Sequence, residues 1–197
     1  MSEFVSIVGP AGILEASLDR PEGGGRWAVL CHPHPLYGGN MNDAVLDAVS
    51  TALKGHDIGV LRFNFRGVGG SEGHHDGGTG ESEDLAAVWA WLLANEGYSP
   101  TILGGYSFGA SVAWATARKL PSLERVLLVA PPLGHMRFDG APPACPVHLI
   151  YGDRDEFVDT AAARRMDGVT HHLIAGADHF FSGRWVDLAT AADTALG

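Results

Sequence analysis

After two short extended segments, the chain alternates apolar runs of strand length with helix-length segments to its end. Glu3–Val8 and Gly12–Leu18 read as strands, with a turn at Arg20–Gly25. Trp27–Cys31 is apolar throughout and reads as a buried strand. Asn40 can cap a helix with Asp43 in its first turn, and Lys54 and Gly55 supply its stop. Ile58–Phe65 is the next strand. Helix Ser82–Asn95 follows, opened by Glu81, Glu83 and Asp84. Strand Thr101–Tyr106 then runs directly into a helix reaching about Leu120. Strands at Arg125–Ala130, Val147–Tyr151 and His171–Ile174 alternate with helices at Thr160–Met166 and Arg184–Leu196. This order predicts an α/β fold, with a mostly parallel sheet covered by helices on both faces. In such sheets functional groups collect outside the carboxyl ends of the strands.

The 197 residues suit one domain, 1–197, with a sizeable core. Hydrophobic residues at 46% and charged residues at 18% fit a packed domain and not a disordered one. A formal net charge of −10 offers no basic footprint for nucleic acid or an anionic membrane. Cys31 and Cys145 sit in or beside apolar runs and read as buried free thiols. The segment MSEFVSIVGP lacks a signal-peptide pattern, and no window approaches the length of a membrane span. The expectation is a cytoplasmic protein, with monomer and dimer both open.

The run Gly104-Gly105-Tyr106-Ser107-Phe108-Gly109 contains G-x-S-x-G between a strand and a helix. A tight strand-to-helix turn would expose the Ser107 hydroxyl at the sheet edge, with Gly105 and Gly109 leaving room. The Phe108 N–H would lie at a helix N-terminus, where partial positive charge suits an oxyanion. A short window alone could equally be a Gly-rich turn with a capping serine. The flanking strand and helix favour a nucleophile.

A serine nucleophile needs an oriented base. His56, His171 and His172 stand at the amino ends of strands, and His148 lies within one. His179 follows a strand by a short loop, so it reaches the serine's edge and is the candidate base. The acid should come from the turn after Val147–Tyr151, where Asp153, Asp155, Glu156 and Asp159 cluster.

The loop His32-Pro33-His34-Pro35-Leu36-Tyr37-Gly38-Gly39 follows the strand WAVLC and should supply a second oxyanion donor. Pro33 and Pro35 have no N–H. The His34 N–H is the favoured donor, and Tyr37 and Tyr106 are expected to contact substrate. His32 and His34, even with His74 and His75, do not have the spacing of a zinc site, so no metal is expected. The glycines of RGVGGSEG do not form a phosphate cradle. Arg66 reads mainly as a loop clamp, its alternative being a contact to an acidic substrate group.

Together, CHPHPLYGGNMN, LRFNFRGVGGSEG, GGTGESEDL, GGYSFGASVA, YGDRDEFVD and GADHFFSGR resemble the small lidless bacterial α/β-hydrolases, grouped with dienelactone hydrolase-like and acyl-peptidase-like relatives. The resemblance spans roughly Cys31 to Arg184. It implies Ser107 as nucleophile, Asp155 as the acid two residues beyond the Gly-Asp step, and His179 as base. Asp178 departs from the small glycine that relatives often carry there. The expected reaction is acyl transfer to water on small ester-like substrates, with no cofactor; a peptidase or amidase, and a non-catalytic binding protein on the same fold, are the alternatives. Only Pro131–Pro146 is available for a lid, which predicts an open site for short acyl chains.

Overall fold

The computed structural model describes residues 2–23, 25–97 and 100–197. Gly24, inside the turn expected at 20–25, lies outside them. Thirteen elements are used below: β1 Glu3–Gly9, β2 Gly12–Asp19, β3 Trp27–Cys31, α1 Ala44–Gly55, β4 Gly59–Phe63, α2 Thr79–Asn95, β5 Pro100–Tyr106, α3 Phe108–Ala117, β6 Arg125–Val129, β7 Val147–Gly152, α4 Thr160–Arg164, β8 Val169–Ile174 and α5 Trp185–Leu196.

The eight strands form one sheet in the order β1-β2-β4-β3-β5-β6-β7-β8. β1–β2 and β2–β4 pair antiparallel, and every later pairing is parallel. β3 and β4 are buried along their whole length, as strands covered on both faces must be. α1 packs on α5 and α2 on α3. The chain leaves β3 toward β4 on one side and β5 toward β6 on the other. The carboxyl ends of β3 and β5 therefore flank the point where the winding reverses, the usual place for a ligand. Trp27, Phe63, Phe65, Leu103 and Trp89 belong to the core on which the sheet is packed.

Several boundaries differ from the sequence reading. Asp43, and not Asn40, caps α1: its carboxylate accepts the Val45 N–H at 2.8 Å. Asn40 instead closes a turn ahead of the helix, accepting the Asn42 N–H. α2 starts at Thr79, before the expected Ser82, because the Glu81 carboxylate turns back to the Gly78 N–H at 2.7 Å. β8 begins at Val169, since its ladder with β7 starts at Val147↔Val169. His171 and His172 thus lie inside the strand. Cys145 is half-buried, while Cys31 is fully buried, and both are free thiols. Among the described residues, the segment between β6 and β7 contains no helix that could serve as a lid. No helix among the described residues is long and apolar enough to cross a membrane.

Candidate active site

Ser107 sits between β5 and α3 with φ 53° and ψ −117°. This left-handed backbone is unfavourable for a residue with a side chain and is fixed by its surroundings. The Ser107 N–H donates to the Val129 carbonyl of β6 at 2.9 Å. A Cβ at Gly105 would strike the Gly109 carbonyl, and one at Gly109 would strike the carbonyls of Cys31 and His32. The two glycines therefore let the turn close and press against the loop after β3.

His179 follows β8 through a short loop. Its Nε2 lies 3.0 Å from Ser107 Oγ. Its Nδ1 lies 2.9 Å from Asp155 Oδ2 and 3.0 Å from Oδ1. The Asp155 carboxylate is buried, and its Oδ1 also accepts the N–H groups of Phe157 and Val158. These bonds fix the carboxylate beneath the imidazole. Asp153 turns elsewhere and accepts the Gly176 N–H at 2.6 Å. It ties the β7 turn to the loop after β8, and Asp155 alone of the pair reaches the histidine. The rings of Phe157, Phe180 and Tyr106 surround His179, the nearest centroid at 4.7 Å.

Tyr106 does not fit the expected substrate contact. It is buried, and its hydroxyl donates to the His179 carbonyl oxygen at 3.1 Å. Its position on β5 points it under His179, where it supports the histidine loop. Tyr37 is 87% exposed at the rim, its ring 4.8 Å from that of His34.

The loop after β3 is anchored by His32. Its Nε2 accepts the Phe65 N–H at 3.0 Å, so the ring carries its proton on Nδ1 and donates to the Pro33 carbonyl at 2.6 Å. Burial pulls the His32 pKa down to about 4, partly offset by the bond to Pro33. The neutral ring is thereby a fixed structural strut. The His34 carbonyl accepts the N–H groups of Tyr37 and Gly39, closing a 3-10 turn at Pro35–Tyr37. Among the described residues, no protein acceptor takes the His34 N–H or the Phe108 N–H. The His34 ring accepts the Leu36 N–H at Nδ1, and burial holds its pKa below the ordinary histidine value.

Arg66 is a clamp. Its guanidinium bonds the buried Asp84 carboxylate at 2.8 and 3.0 Å, and its own N–H bonds the same group. Glu83 and Asp76 flank it at 3.5 and 3.7 Å, which leaves no opening for a substrate carboxylate. Two buried or loop carboxylates were not anticipated as organisers. Glu81 is fully buried and accepts from Gly78 N, Asp76 N and His75 Nδ1. The Gly78-x-x-Glu81 spacing is the signal that could have exposed it. Asp178 accepts the N–H groups of Phe180 and Ser182 and so shapes the turn just after His179. At this position the chain has a side chain that caps its own loop.

Residues 36–144 match the family described as serine aminopeptidase, S33. The chain belongs to this family. It is similar to an α/β serine hydrolase without a lid from Xanthomonas campestris, at 35% identity and a TM-score of 0.91, covering 99% of this chain and 93% of that one. It is also similar to an α/β serine hydrolase homologue from Coxiella burnetii, at 36% identity and a TM-score of 0.92, covering 99% and 97%. An uncharacterized protein of Rickettsia prowazekii is 34% identical over 184 residues, or 86% of this chain and 77% of that protein. The S33 protein is thus an α/β serine hydrolase, and the resemblance to lidless α/β-hydrolases read from its motifs holds.

Proposed function

We propose that this S33-family hydrolase cleaves small or short-chain carboxylic esters through an acyl-enzyme on Ser107. The observation that carries the reading is the continuous chain from Asp155 through His179 to Ser107, with hydrogen-bond distances of 2.9 and 3.0 Å. His179 Nε2 takes the hydroxyl proton as Ser107 Oγ attacks the ester carbonyl. Asp155 holds the Nδ1–H tautomer and stabilises the imidazolium. The N–H groups of Phe108 and His34 receive the oxyanion. The tetrahedral intermediate collapses, the C–O bond to the alcohol breaks, and His179 protonates the leaving oxygen. Water then gives a proton to His179 and attacks the acyl carbon. Collapse of that second intermediate returns the proton to Ser107 Oγ and releases the acid. The sequence of steps calls for no cofactor.

The family description makes aminopeptidase the second reading. Such an enzyme needs an unengaged carboxylate to hold the substrate's α-ammonium. The acids around His179 argue against it, because Asp155, Asp178 and Asp43 are committed to His179, to the 180–182 turn and to the N-terminus of α1, and Glu81 to His75. A panel of p-nitrophenyl acetate, butyrate and decanoate beside alanine p-nitroanilide tests the choice. The account expects the short esters to be fastest and the anilide to be turned over poorly. Preferential cleavage of the anilide would overturn it.

A further inference from the structure

His179 is almost fully covered, yet two of the rings that cover it are open to solvent. The Phe157 ring centroid lies 4.7 Å from that of the imidazole and the Phe180 centroid 5.4 Å. Phe157 is 45% exposed and Phe180 60%, while His179 itself is 8% exposed. The third ring against it, Tyr106, is buried. Of the eight phenylalanines in the chain, only Phe4 on β1 joins these two as exposed. Single exposed apolar side chains are ordinary on a protein surface. Two of the three on one buried imidazole are not random scatter.

Both rings stand on pinned backbone. The Phe157 N–H donates to Asp155 Oδ1 at 2.8 Å, the same carboxylate that meets His179. The Phe180 N–H donates to Asp178 Oδ1 at 3.1 Å, and the Ser182 N–H donates to it at 2.9 Å. The next residue, Phe181, is fully buried with a φ of 53°. The turn therefore sends one ring into the core and leaves its neighbour outside, against the imidazole. Rigid aromatic rings held in this way lose little freedom when a ligand packs on them.

We infer that Phe157 and Phe180 form the subsite for the alcohol half of the ester, and that this half carries an aromatic ring, as a phenol or an arylmethyl alcohol does. The inference rests on the Ser107 reading and names a substrate class for it. When the acyl C–O bond breaks, the alcohol oxygen takes its proton from His179 Nε2, so that oxygen must sit beside the imidazole. The alcohol half therefore lies on the histidine side of the scissile bond. The carbonyl oxygen points to the Phe108 and His34 N–H groups, and the Phe108 ring packs with a different set of rings, those of His34, Phe65 and His75. An aryl ring joined to the alcohol oxygen directly or through one CH2 lies about 5 Å from Nε2, which brings it onto the two phenylalanines at the spacing that aromatic pairs adopt. A saturated ring of the same size covers the same surface but lacks the edge-to-face attraction.

The test compares kcat/KM for benzyl acetate and cyclohexylmethyl acetate, which share an acyl group and differ in the aromaticity of the alcohol. Acid release in a pH-stat follows both. The benzyl ester is expected to be faster by about fivefold. In the double variant Phe157→Leu/Phe180→Leu, which keeps apolar cover over His179, the ratio should fall to about one. Damage to His179 alone lowers both esters and leaves the ratio in place, so the ratio separates contact with substrate from support of the histidine. A wild-type ratio near one, or a ratio that survives the double substitution, overturns the inference. If the double variant does not fold, Phe180→Leu alone should lower the ratio about twofold, and an unchanged ratio overturns the inference in the same way. Turnover of p-nitrophenyl acetate in the same preparation reads the Ser107 chemistry separately: with that ester hydrolysed and the ratio near one, the subsite falls and the ester reading stands. If no ester is hydrolysed, the ester reading falls, and the subsite is judged by NMR titration of benzyl alcohol into the wild-type protein. Saturable shifts that Phe180→Leu weakens support the subsite, and absence of saturable binding overturns it.

Discussion

The Asp155 carboxylate lies 2.9 Å from His179 Nδ1, while Asp153, on the same turn, bonds the Gly176 N–H instead. The first contact controls a tautomer and the second ties two loops together. Asp155→Asn should therefore lower kcat/KM by about 10³–10⁴-fold, because an amide facing Nδ1 no longer holds the productive tautomer. Asp153→Asn keeps an acceptor for Gly176 and should stay within about threefold of wild type, since it removes no group from the reacting chain. Steady-state kinetics on p-nitrophenyl acetate separates them. Equal losses in the two variants would contradict the assignment of the acid.

Ser107 holds a φ of 53° that costs of order 1–3 kcal/mol for a residue with a Cβ. Glycine adopts it freely. Ser107→Gly should be more stable than Ser107→Ala by about 1 kcal/mol, although both lose the hydroxyl. Urea unfolding of the two variants reads the difference. An alanine variant as stable as the glycine variant would mean that the elbow is not strained.

His32 links stability to pH. Burial lowers its folded pKa to about 4, against about 6.5 in the unfolded chain. Between these values the unfolded chain binds the proton and the folded protein does not. The neutral strut's contribution is thus complete above the unfolded value and is lost as pH falls toward about 4. From pH 7 to pH 5 the His32 share of the loss is about 2 kcal/mol. His32→Asn should flatten this part of the profile in denaturant titrations. An unchanged slope would place the pH dependence elsewhere, with His148, whose pKa burial also lowers to about 4, the next group to replace.

The alternation that begins at Trp27 was enough to place Ser107, the acidic turn and His179 on one sheet edge. Parallel strands order their loops by simple rules, and glycines at 105 and 109 mark a close approach that any chain must make in the same way. What the local pattern could not carry were contacts between distant segments. Arg66 and Asp84 are separate loop and helix residues until α2 folds back over the loop after β4. Tyr106 precedes Ser107 in sequence, yet strand alternation sends its ring under His179. The cap of α1 moved from Asn40 to Asp43 because the two offer similar chemistry, and Asn64 holds the intervening Met41 N–H. The acid itself was left to the family resemblance, since Asp153 and Asp155 differ only in which loop they face.

The central claim is that Ser107 is the atom donor to the acyl intermediate. Its most direct test is kcat/KM for p-nitrophenyl acetate in wild type and Ser107→Ala, with folding of both checked by circular dichroism. The account predicts clear turnover by wild type and a loss of about 10⁴–10⁶-fold in the variant. A folded Ser107→Ala protein that turns over acetate at the wild-type rate would contradict it.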